Sequence, residues 1–308
     1  MLNQKINFMG NRKIAMTFSG ILMVIAIVSL SVRGLQLGID FTGGTLIEVG
    51  YQQSADLTML RKTLAEAGFG DATVQNFGTA KDVLIRLKLR ENASSAELSN
   101  QVLEAINKNS AEPASLRRVE FVGPQVGEDL AEDGFLSLLY SSIAILIYVA
   151  WRFEWKFSAG ALIATFHDVI VTLGVFSVFG LEFDLTVLAA ILALIGYSLN
   201  DTIVVYDRIR ENFRRLRKIS TADIMNISVN ETLSRTIMTS LTVFLVLVSL
   251  FFLGGEIIHN FSIALLFGVV FGTYSSIFIA SPMALVLGIT PDDLMVPVKE
   301  GADIDSRP

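Results

Sequence analysis

The stretch LTVLAAILALIGYSLNDTIVVY, at residues 185–206, is the strongest indication of the architecture of this chain. A helix needs about 20 apolar residues to cross roughly 30 Å of hydrocarbon, and the stretch has that length. Its apolar run is interrupted by an amide and a carboxylate, Asn200 and Asp201. The segment that follows, DRIRENFRRLRK at residues 207–218, is rich in arginine, as is typical of a cytoplasmic loop. The sequence therefore predicts a membrane-spanning helix with a charge inside it.

The composition of the whole chain agrees with a membrane protein. Of its 308 residues, 52% are hydrophobic and only 18% are charged, and the mean hydropathy is +0.56. A water-soluble domain of ordinary composition is more polar than this. The formal net charge of -6 argues against nucleic acid as a partner, and the absence of cysteine excludes disulfides and thiolate metal sites.

Six stretches are long and apolar enough to span a membrane. Lysine and arginine cluster before the first, between the second and third and after the fourth, whereas the loops at residues 179–184 and 254–260 contain neither. The positive-inside rule therefore predicts that both termini are cytoplasmic. The first stretch could instead be a cleaved signal peptide, but it ends without an A-x-A-like site, which favours an uncleaved anchor. The predicted spans are residues 14–33, 134–151, 157–179, 184–207, 236–254 and 260–288.

The chain is thus predicted to be a polytopic α-helical membrane protein, with a six-helix bundle and one small external domain. The predicted parts are a cytoplasmic N-terminus (1–13), the first span (14–33), an external domain (34–131), spans two to six with a cytoplasmic loop at 208–235 (132–288), and a cytoplasmic tail (289–308).

The external domain has its own order of elements. Residues 56–67 and 95–107 have the periodicity of amphipathic helices, with Asp56 as the N-cap of the first and Gly68 as its stop. This order, βαββαβ, is the ferredoxin-like α+β unit, a fold that hosts many functions. The strands are predicted at residues 45–51, 72–77, 82–89 and 115–122.

Asp201 is the main candidate for a functional residue. A carboxylate within a span costs at least a few kcal/mol, and such residues usually face a bundle interior or a water-filled path. Arg235, at the start of the predicted fifth span, could reach inward toward Asp201, and such a pair could take up and release a proton. A fixed ion pair that only positions helices is the alternative. Asn200 could join the proton pathway or hydrogen-bond across helices.

His167 and Asp168 interrupt the third span. Because adjacent residues point about 100° apart on a helix, we expect that this pair does not line one face. Metal binding is not expected there, whereas a proton relay and a simple polar contact between helices both remain open. In the sixth span, Gly268 and Gly272 form a G-x-x-x-G pattern that permits close approach of another helix, by default one of this chain.

The segment between the first span and the external domain contains Asp40, Gly43 and Gly44. Glycine there would permit backbone angles that other residues avoid, so we interpret the segment as a loop that couples the span to the domain; an ordinary turn would have the same sequence. No phosphate-binding loop, H-E-x-x-H or G-x-S-x-G motif occurs in the chain. An enzymatic activity is therefore not expected, and no cofactor or metal is predicted.

Several segments together closely resemble the SecF proteins of the SecD/SecF protein-export family. They run from the first predicted span to the sixth: GLQLGIDFTGGT at 34–45, VGPQVG at 122–127, GYSLNDTIVVYDRIREN at 196–212, TLSRTI at 232–237 and GTYSSIF at 272–278.

The resemblance implies half of a transporter of the resistance-nodulation-division type, completed by SecD in the bacterial inner membrane. It further implies a periplasmic location for residues 34–131, and use of the proton motive force to promote preprotein translocation through SecYEG, with YajC as a further partner. Asp201 and Arg235 are the residues that it implies for the proton pathway. Protons would be the coupling ion, and the remaining contacts would be with preprotein and membrane lipid.

Two other functions remain open from the residues alone. One is a proton-coupled half-transporter for a lipid or small molecule, which would need a large apolar pocket open to lipid. The other is a passive assembly scaffold, in which Asp201 and Arg235 would matter only for stability. An intramembrane hydrolase lacks a candidate set of acid, base and nucleophile.

Overall fold

The computed structural model describes residues 6–90, 94–108, 113–216 and 218–294. Within these residues, six helices are long and apolar enough to cross a membrane. The helices are α1 (Arg12–Val32), α2 (Ile39–Thr42), α3 (Leu57–Glu66), α4 (Ser95–Lys108), α5 (Pro124–Arg152), α6 (Trp155–Phe179), α7 (Leu185–Arg215), α8 (Thr221–Leu253), α9 (His259–Ser275) and α10 (Ser281–Val286). The strands are β1 (Gln36–Leu37), β2 (Gly44–Gly50), β3 (Thr73–Phe77), β4 (Thr79–Leu87), β5 (Ser115–Val122) and β6 (Glu182–Phe183).

Each predicted span coincides with a long helix, and the sixth consists of α9 and α10 joined by a π-helical turn at Ser276–Ala280. Two helices, α5 and α8, begin well before the predicted spans, at Pro124 and Thr221 and not at residues 134 and 236. Helix α5 starts at Pro124, where the missing amide of proline costs nothing, and α8 starts after Ser220, which accepts the Asp223 amide as an N-cap. The predicted loop at 208–235 is therefore mostly helix. Most of the predicted tail, from residue 295 onward, lies outside the described residues.

Close packing of α7 against α9 depends on the two glycines of the sixth span. A Cβ added at Gly268 would lie 2.6 Å from the Leu194 side chain, and one added at Gly272 would lie 3.1 Å from the Ser198 Cβ. Both neighbours are on α7, so the default prediction of close packing within the chain is confirmed. This approach brings small polar side chains of α7 and α9 into the middle of the bundle.

The domain predicted to be external comprises residues 44–122, fewer than the predicted 34–131 because α5 begins at Pro124, and it has the predicted element order β-α-β-β-α-β. Its antiparallel sheet has the strand order β3-β4-β2-β5. The Asp56 carboxylate caps α3 by accepting the amides of Thr58 and Met59, as predicted. One face of the sheet forms a core with α3 and α4 around Ile47, Val83 and other buried apolar side chains.

A second, two-stranded sheet joins the external domain to the bundle. In it, β1 lies just beyond α1 and pairs in parallel with β6, the short strand between α6 and α7. The chain then turns back through α2 into β2 at Gly43 and Gly44, whose φ angles of +65° and +142° require glycine. The sequence predicted the need for glycine here but not the pairing of β1 with β6.

Candidate functional site

Asp201 lies inside the bundle, on the face of α7 that packs against α8 and α9. Its exposed fraction is 3%. The Ser240 hydroxyl of α8 donates to the Asp201 carboxyl, with 3.4 Å between Ser240 Oγ and Asp201 Oδ2. This distance is long for a hydroxyl bonded to a carboxylate, for which about 2.5 to 2.7 Å is usual. The carboxyl group of Asp201 is therefore buried but only weakly satisfied.

A chain of hydroxyl groups leads from Asp201 to the backbone of α9. The Ser240 Oγ lies 2.7 Å from the Thr273 Oγ1, and Thr273 donates to the Val269 carbonyl at 2.8 Å. A carbonyl oxygen can only accept, so Thr273 uses its proton in that bond and must accept from Ser240. Ser240 has one proton, which the nearer Thr273 oxygen attracts more strongly than the distant carboxylate.

The structure places the side chains of Arg235 and Asn200 on the surface of this chain. Arg235 lies within α8 and not at its start, because the helix begins at Thr221. Its side chain is exposed on the surface of this chain, and no ion pair within 4 Å joins it to Asp201 among the described residues. Arg235 still interacts electrostatically with the Asp201 carboxyl, and the Thr239 side chain is a further, weak hydrogen-bond partner of that carboxyl. Asn200, the neighbour of Asp201 on α7, is likewise exposed.

His167 and Asp168 form a second buried polar cluster, which we name the Asp168 cluster. The exposed fractions are 3% for His167 and 0% for Asp168, and His167 Nδ1 lies 3.0 Å from Asp168 Oδ1. The prediction that these neighbours do not share a face was wrong. Although their Cβ atoms diverge, the imidazole nitrogen nearest the backbone can still reach an adjacent carboxylate.

Two serines complete the Asp168 cluster. The hydroxyls of Ser198 on α7 and Ser275 on α9 donate to Asp168 Oδ2 at 2.5 and 2.6 Å. Asp168 thus accepts three short hydrogen bonds. The other ring nitrogen, His167 Nε2, is buried and has no hydrogen-bond partner among the described residues.

The two clusters are close to each other because they share α7 and α9. Ser198 and Asp201 are three residues apart and so lie on neighbouring turns of one face of α7, and Thr273 and Ser275 belong to the same segment of α9. Sequence reasoning missed all of the hydroxyl partners. Serine and threonine are common in spans, and the signal that could have found Ser198 is its i,i+3 spacing to Asp201.

The predicted coupling loop contacts the N-terminal end of α7, the helix that carries Asp201. The Asp40 Oδ2 accepts the amide of Leu185 at 3.0 Å, and Asp184 caps the same helix by accepting the Val187 amide at 2.8 Å. A carboxylate at a helix N-terminus is favourable because it satisfies free amides and interacts with the helix dipole. Gly43 of the same loop packs closely against α5, since a Cβ added at Gly127 would lie 2.8 Å from the Gly43 nitrogen.

Comparisons with known proteins show related chains over nearly the whole length. A family model described as protein export membrane protein SecD/SecF, C-terminal, matches residues 102–290, and one described as the SecD/SecF GG motif matches residues 28–55. The protein translocase subunit SecF of Vibrio alginolyticus is 53% identical over 98% of this chain and 97% of its own length. That of Pseudomonas aeruginosa is 50% identical over 98% of each chain.

Solved structures agree with these relatives. The crystal structure of SecDF from Thermus thermophilus, described as a translocon-associated membrane protein, matches with a TM-score of 0.85 and 36% identity. SecDF in a super-membrane-facing form matches with a TM-score of 0.69 at the same identity. Each match covers 93% of this chain but 39% of the SecDF chain, so this chain spans about two fifths of the solved ones.

Proposed function

We propose that this chain, which belongs to the SecD/SecF family of protein-export membrane proteins, is the SecF subunit of a proton-driven export complex. In this proposal SecD is its partner, and the pair uses the proton motive force to promote preprotein translocation through SecYEG, with YajC as an accessory. The relatives named above and the six apolar helices support a multi-pass protein of the bacterial inner membrane.

The proposal includes an orientation for the chain. Both termini are cytoplasmic, and the domain at residues 44–122 is a periplasmic ferredoxin-like domain. The lysine and arginine residues of the short loops support this orientation, and the βαββαβ order with the strand order β3-β4-β2-β5 supports the domain class. The domain is then the element that moves against preprotein or SecD.

The direction of the hydrogen bonds beside Asp201 carries the proposal. A protonated Asp201 can donate to Ser240, which donates to Thr273, which donates to the Val269 carbonyl. An ionised Asp201 must instead compete with Thr273 for the single proton of Ser240. The cluster can thus hold a protonated Asp201 with the hydroxyls of Ser240 and Thr273 both paired, whereas the ionised form needs another partner. Arg235, on the adjacent helix, is the cation that can supply this interaction.

The other candidate residues have supporting roles in the proposal. Asn200 extends the pathway on the exposed face of α7, where a second subunit can pack. His167 and Asp168 are a second, more buried part of the pathway, in which the Asp168 carboxylate is the fixed partner that holds the His167 ring in place. Asp40, Gly43 and Gly44 form the periplasmic coupling loop at the outer end of α7. Movement is also supported by the solved SecDF structures, because two forms with the same coverage match this chain to different extents, with TM-scores of 0.85 and 0.69.

The test compares Asp201→Asn with Asp207→Asn in the complete complex, in inverted membrane vesicles that export a preprotein. Asp207 is a matched control because it lies on the same helix but pairs with Arg152 at the end of α5. With ATP present, the Asp201→Asn complex should export at the same rate with and without a proton gradient, whereas the control should keep its proton-dependent gain. Export by Asp201→Asn that still responds fully to the gradient would rule out the proton role.

No observation favours the two other functions. An apolar cavity of about 200 Å³ lies between α5 and α6, lined by Ile145, Leu162 and neighbouring side chains. Sites for drug-sized ligands usually occupy about 300 to 1,000 Å³, so this cavity is small for a transported lipid. A passive scaffold predicts that Asp201→Asn lowers stability without changing the response to the proton gradient, and the same vesicle experiment measures this.

A further inference from the structure

The sheet of the external domain has a second face, which is directed toward the bundle. Along β4, Val83, Ile85 and Leu87 point into the core with α3 and α4, so Leu84 and Arg86 point the opposite way. A cavity of about 690 Å³ separates this face from the outer ends of the membrane helices, and Leu84, Glu48 and Glu182 are among the residues that line it. The domain therefore does not pack tightly against the bundle across this face.

Arg86 crosses from the sheet to the bundle at one side of this cavity. Its guanidinium forms an ion pair with Glu182, a residue of β6 in the turn between α6 and α7. The side chains are 19% and 16% exposed, so water is partly excluded from the pair. Because Arg86 lies on the central strand β4, paired to both β2 and β3, it is fixed to the body of the domain.

The turn that carries Glu182 is also held by the segment before the domain. The Gly38 amide donates to the Phe183 carbonyl at 2.8 Å, and Asp40 accepts the Leu185 amide. From the bundle, the Asn260 side chain donates to the Glu182 carbonyl at 3.1 Å. The first residues of α7 are thus positioned by contacts from the domain, from its connecting segment and from α9.

We infer that the Arg86–Glu182 ion pair is a separable latch, through which the external domain sets the position of the outer end of α7. Helix α7 continues without interruption from Leu185 to Asp201, a rise of about 24 Å. A displacement of the turn therefore moves the helix that carries the proton site. The inference rests on the proposed function, because it identifies how a proton event at Asp201 reaches the domain.

The chemistry of the contact suits reversible opening. An ion pair at an aqueous boundary contributes little net stability, because its Coulomb energy is largely offset by the loss of solvation. The adjoining cavity leaves room for the domain to move without unfolding. Arg86 and Glu182 are therefore positioning residues, and they take no part in proton transfer.

The test uses charge reversal and its compensation. Arg86→Glu and Glu182→Arg each replace attraction by repulsion, and the double variant restores an ion pair of opposite polarity. Arg118→Glu is the control, because the same charge change occurs on the same sheet but the ion partner, Glu120, is in the same strand. The chain contains no cysteine, so spin labels can be placed at Lys62→Cys and Leu253→Cys alone.

The first measurement is the distance between the two spin labels, obtained by pulsed electron paramagnetic resonance on the full complex in lipid. The second is proton-stimulated export in vesicles. Each single reversal should lower the population of the docked distance about tenfold and remove most of the proton-stimulated export. The double variant should recover both, and the control should lose neither. Single reversals that leave the distance distribution unchanged, or a double variant that recovers nothing, would overturn the latch.

The two proposals can fail separately. If the reversals alter the label distance but neither they nor Asp201→Asn alters the response to the proton gradient, the latch stands as a positioning contact and the proton role fails. If Asp201→Asn abolishes the response while the reversals leave it intact, the proton role stands and the latch is overturned.

Discussion

Two carboxylates lie in the same bundle, on neighbouring turns of packed helices, yet their surroundings differ. Asp168 accepts three hydrogen bonds of 2.5 to 3.0 Å, from Ser198, Ser275 and His167. Asp201 has weaker hydroxyl donors: Ser240 lies at 3.4 Å and is closer to another oxygen, and Thr239 contributes less than Ser240. Both side chains are nearly inaccessible to solvent.

The difference indicates different roles. A buried carboxylate with three hydrogen-bond partners holds together the helices that supply them. A buried carboxylate whose donors are weak lacks that support. Within the proposed function, Asp168 is therefore the fixed member of the pair and Asp201 the member that changes state. The following predictions test this contrast.

The largest effect is expected from Asp168→Ala. It leaves the His167 ring and the Ser198 hydroxyl without their acceptor and Ser275 with only the Gly272 carbonyl, at 3.1 Å, and breaking a buried charged network of this kind costs about 3 to 5 kcal/mol. The free energy of unfolding, measured by denaturation in detergent, should fall by that amount. Asp201→Ala should cost much less, because Ser240 keeps Thr273 as a partner. Equal losses for the two variants would contradict the contrast.

A smaller effect is expected when single hydroxyls are removed. Ser275→Ala deletes a 2.6 Å bond to a buried carboxylate, and such bonds contribute about 1.5 to 3 kcal/mol. Ser240→Ala deletes a longer contact to Asp201 and a neutral bond to Thr273, which should cost about 1 kcal/mol. The same denaturation experiment checks the order, and a greater loss for Ser240→Ala would reverse our assignment.

The packing that supports the Asp168 cluster can be changed at Gly272. A Cβ there would lie 3.1 Å from the Cβ of Ser198, which cannot shift freely while its hydroxyl is bonded to Asp168. Gly272→Ala should therefore destabilise the protein by about 1 kcal/mol. Gly196→Ala on α7 is the matched control, because no atom lies within 4 Å of its added Cβ. The free energy of unfolding of the control should rise by about 0.5 to 1 kcal/mol, because alanine has a higher helix propensity than glycine. A rise for Gly272→Ala as well would refute this packing argument.

The smallest loss of stability is expected from Asp293→Asn. Asp293 is an exposed carboxylate and serves as a reference for the buried Asp168 and Asp201. Burial raises the pKa of its carboxyl, but hydrogen bonds from Lys156 and Thr290 outweigh burial and hold the pKa below 3.8. Its contribution to stability is therefore present above pH 3.8 and is lost as the pH falls through the lower folded-state value. Because the pair is near solvent, Asp293→Asn should cost at most about 1 kcal/mol at pH 7. The difference between variant and parent should vanish in strongly acidic buffer, and a difference that persists there would contradict this origin.

Much of the fold could be predicted because its signals are local. Apolar length located the six long helices, and alternation located the four strands of the external sheet to within about three residues. Helix ends were predicted poorly where polar sequence stays helical beyond the apolar run, as at Pro124 and Thr221. There, capping residues and not hydropathy decide where the helix starts.

The site was predicted only in part. Asp201 stood out because an ionisable residue within an apolar run is conspicuous without any structure. Its partners did not, because Ser240 and Thr273 resemble the many other hydroxyls of the spans. The error at His167 and Asp168 arose because an angle between Cβ atoms does not fix where a long side chain ends.

The sequence by itself determined the class of protein, the number of long apolar helices, the order of elements in the external domain and the presence of a charge at Asp201. These depend on hydrophobic length and periodicity, which are properties of neighbouring residues. Only the tertiary structure decided that Asp168 has close hydrogen-bond partners and Asp201 does not, that β1 pairs with β6, and that Arg86 forms an ion pair with Glu182. Those contacts depend on the rotation and spacing of packed helices, set here by close approach at Gly268 and Gly272, and no local pattern specifies them.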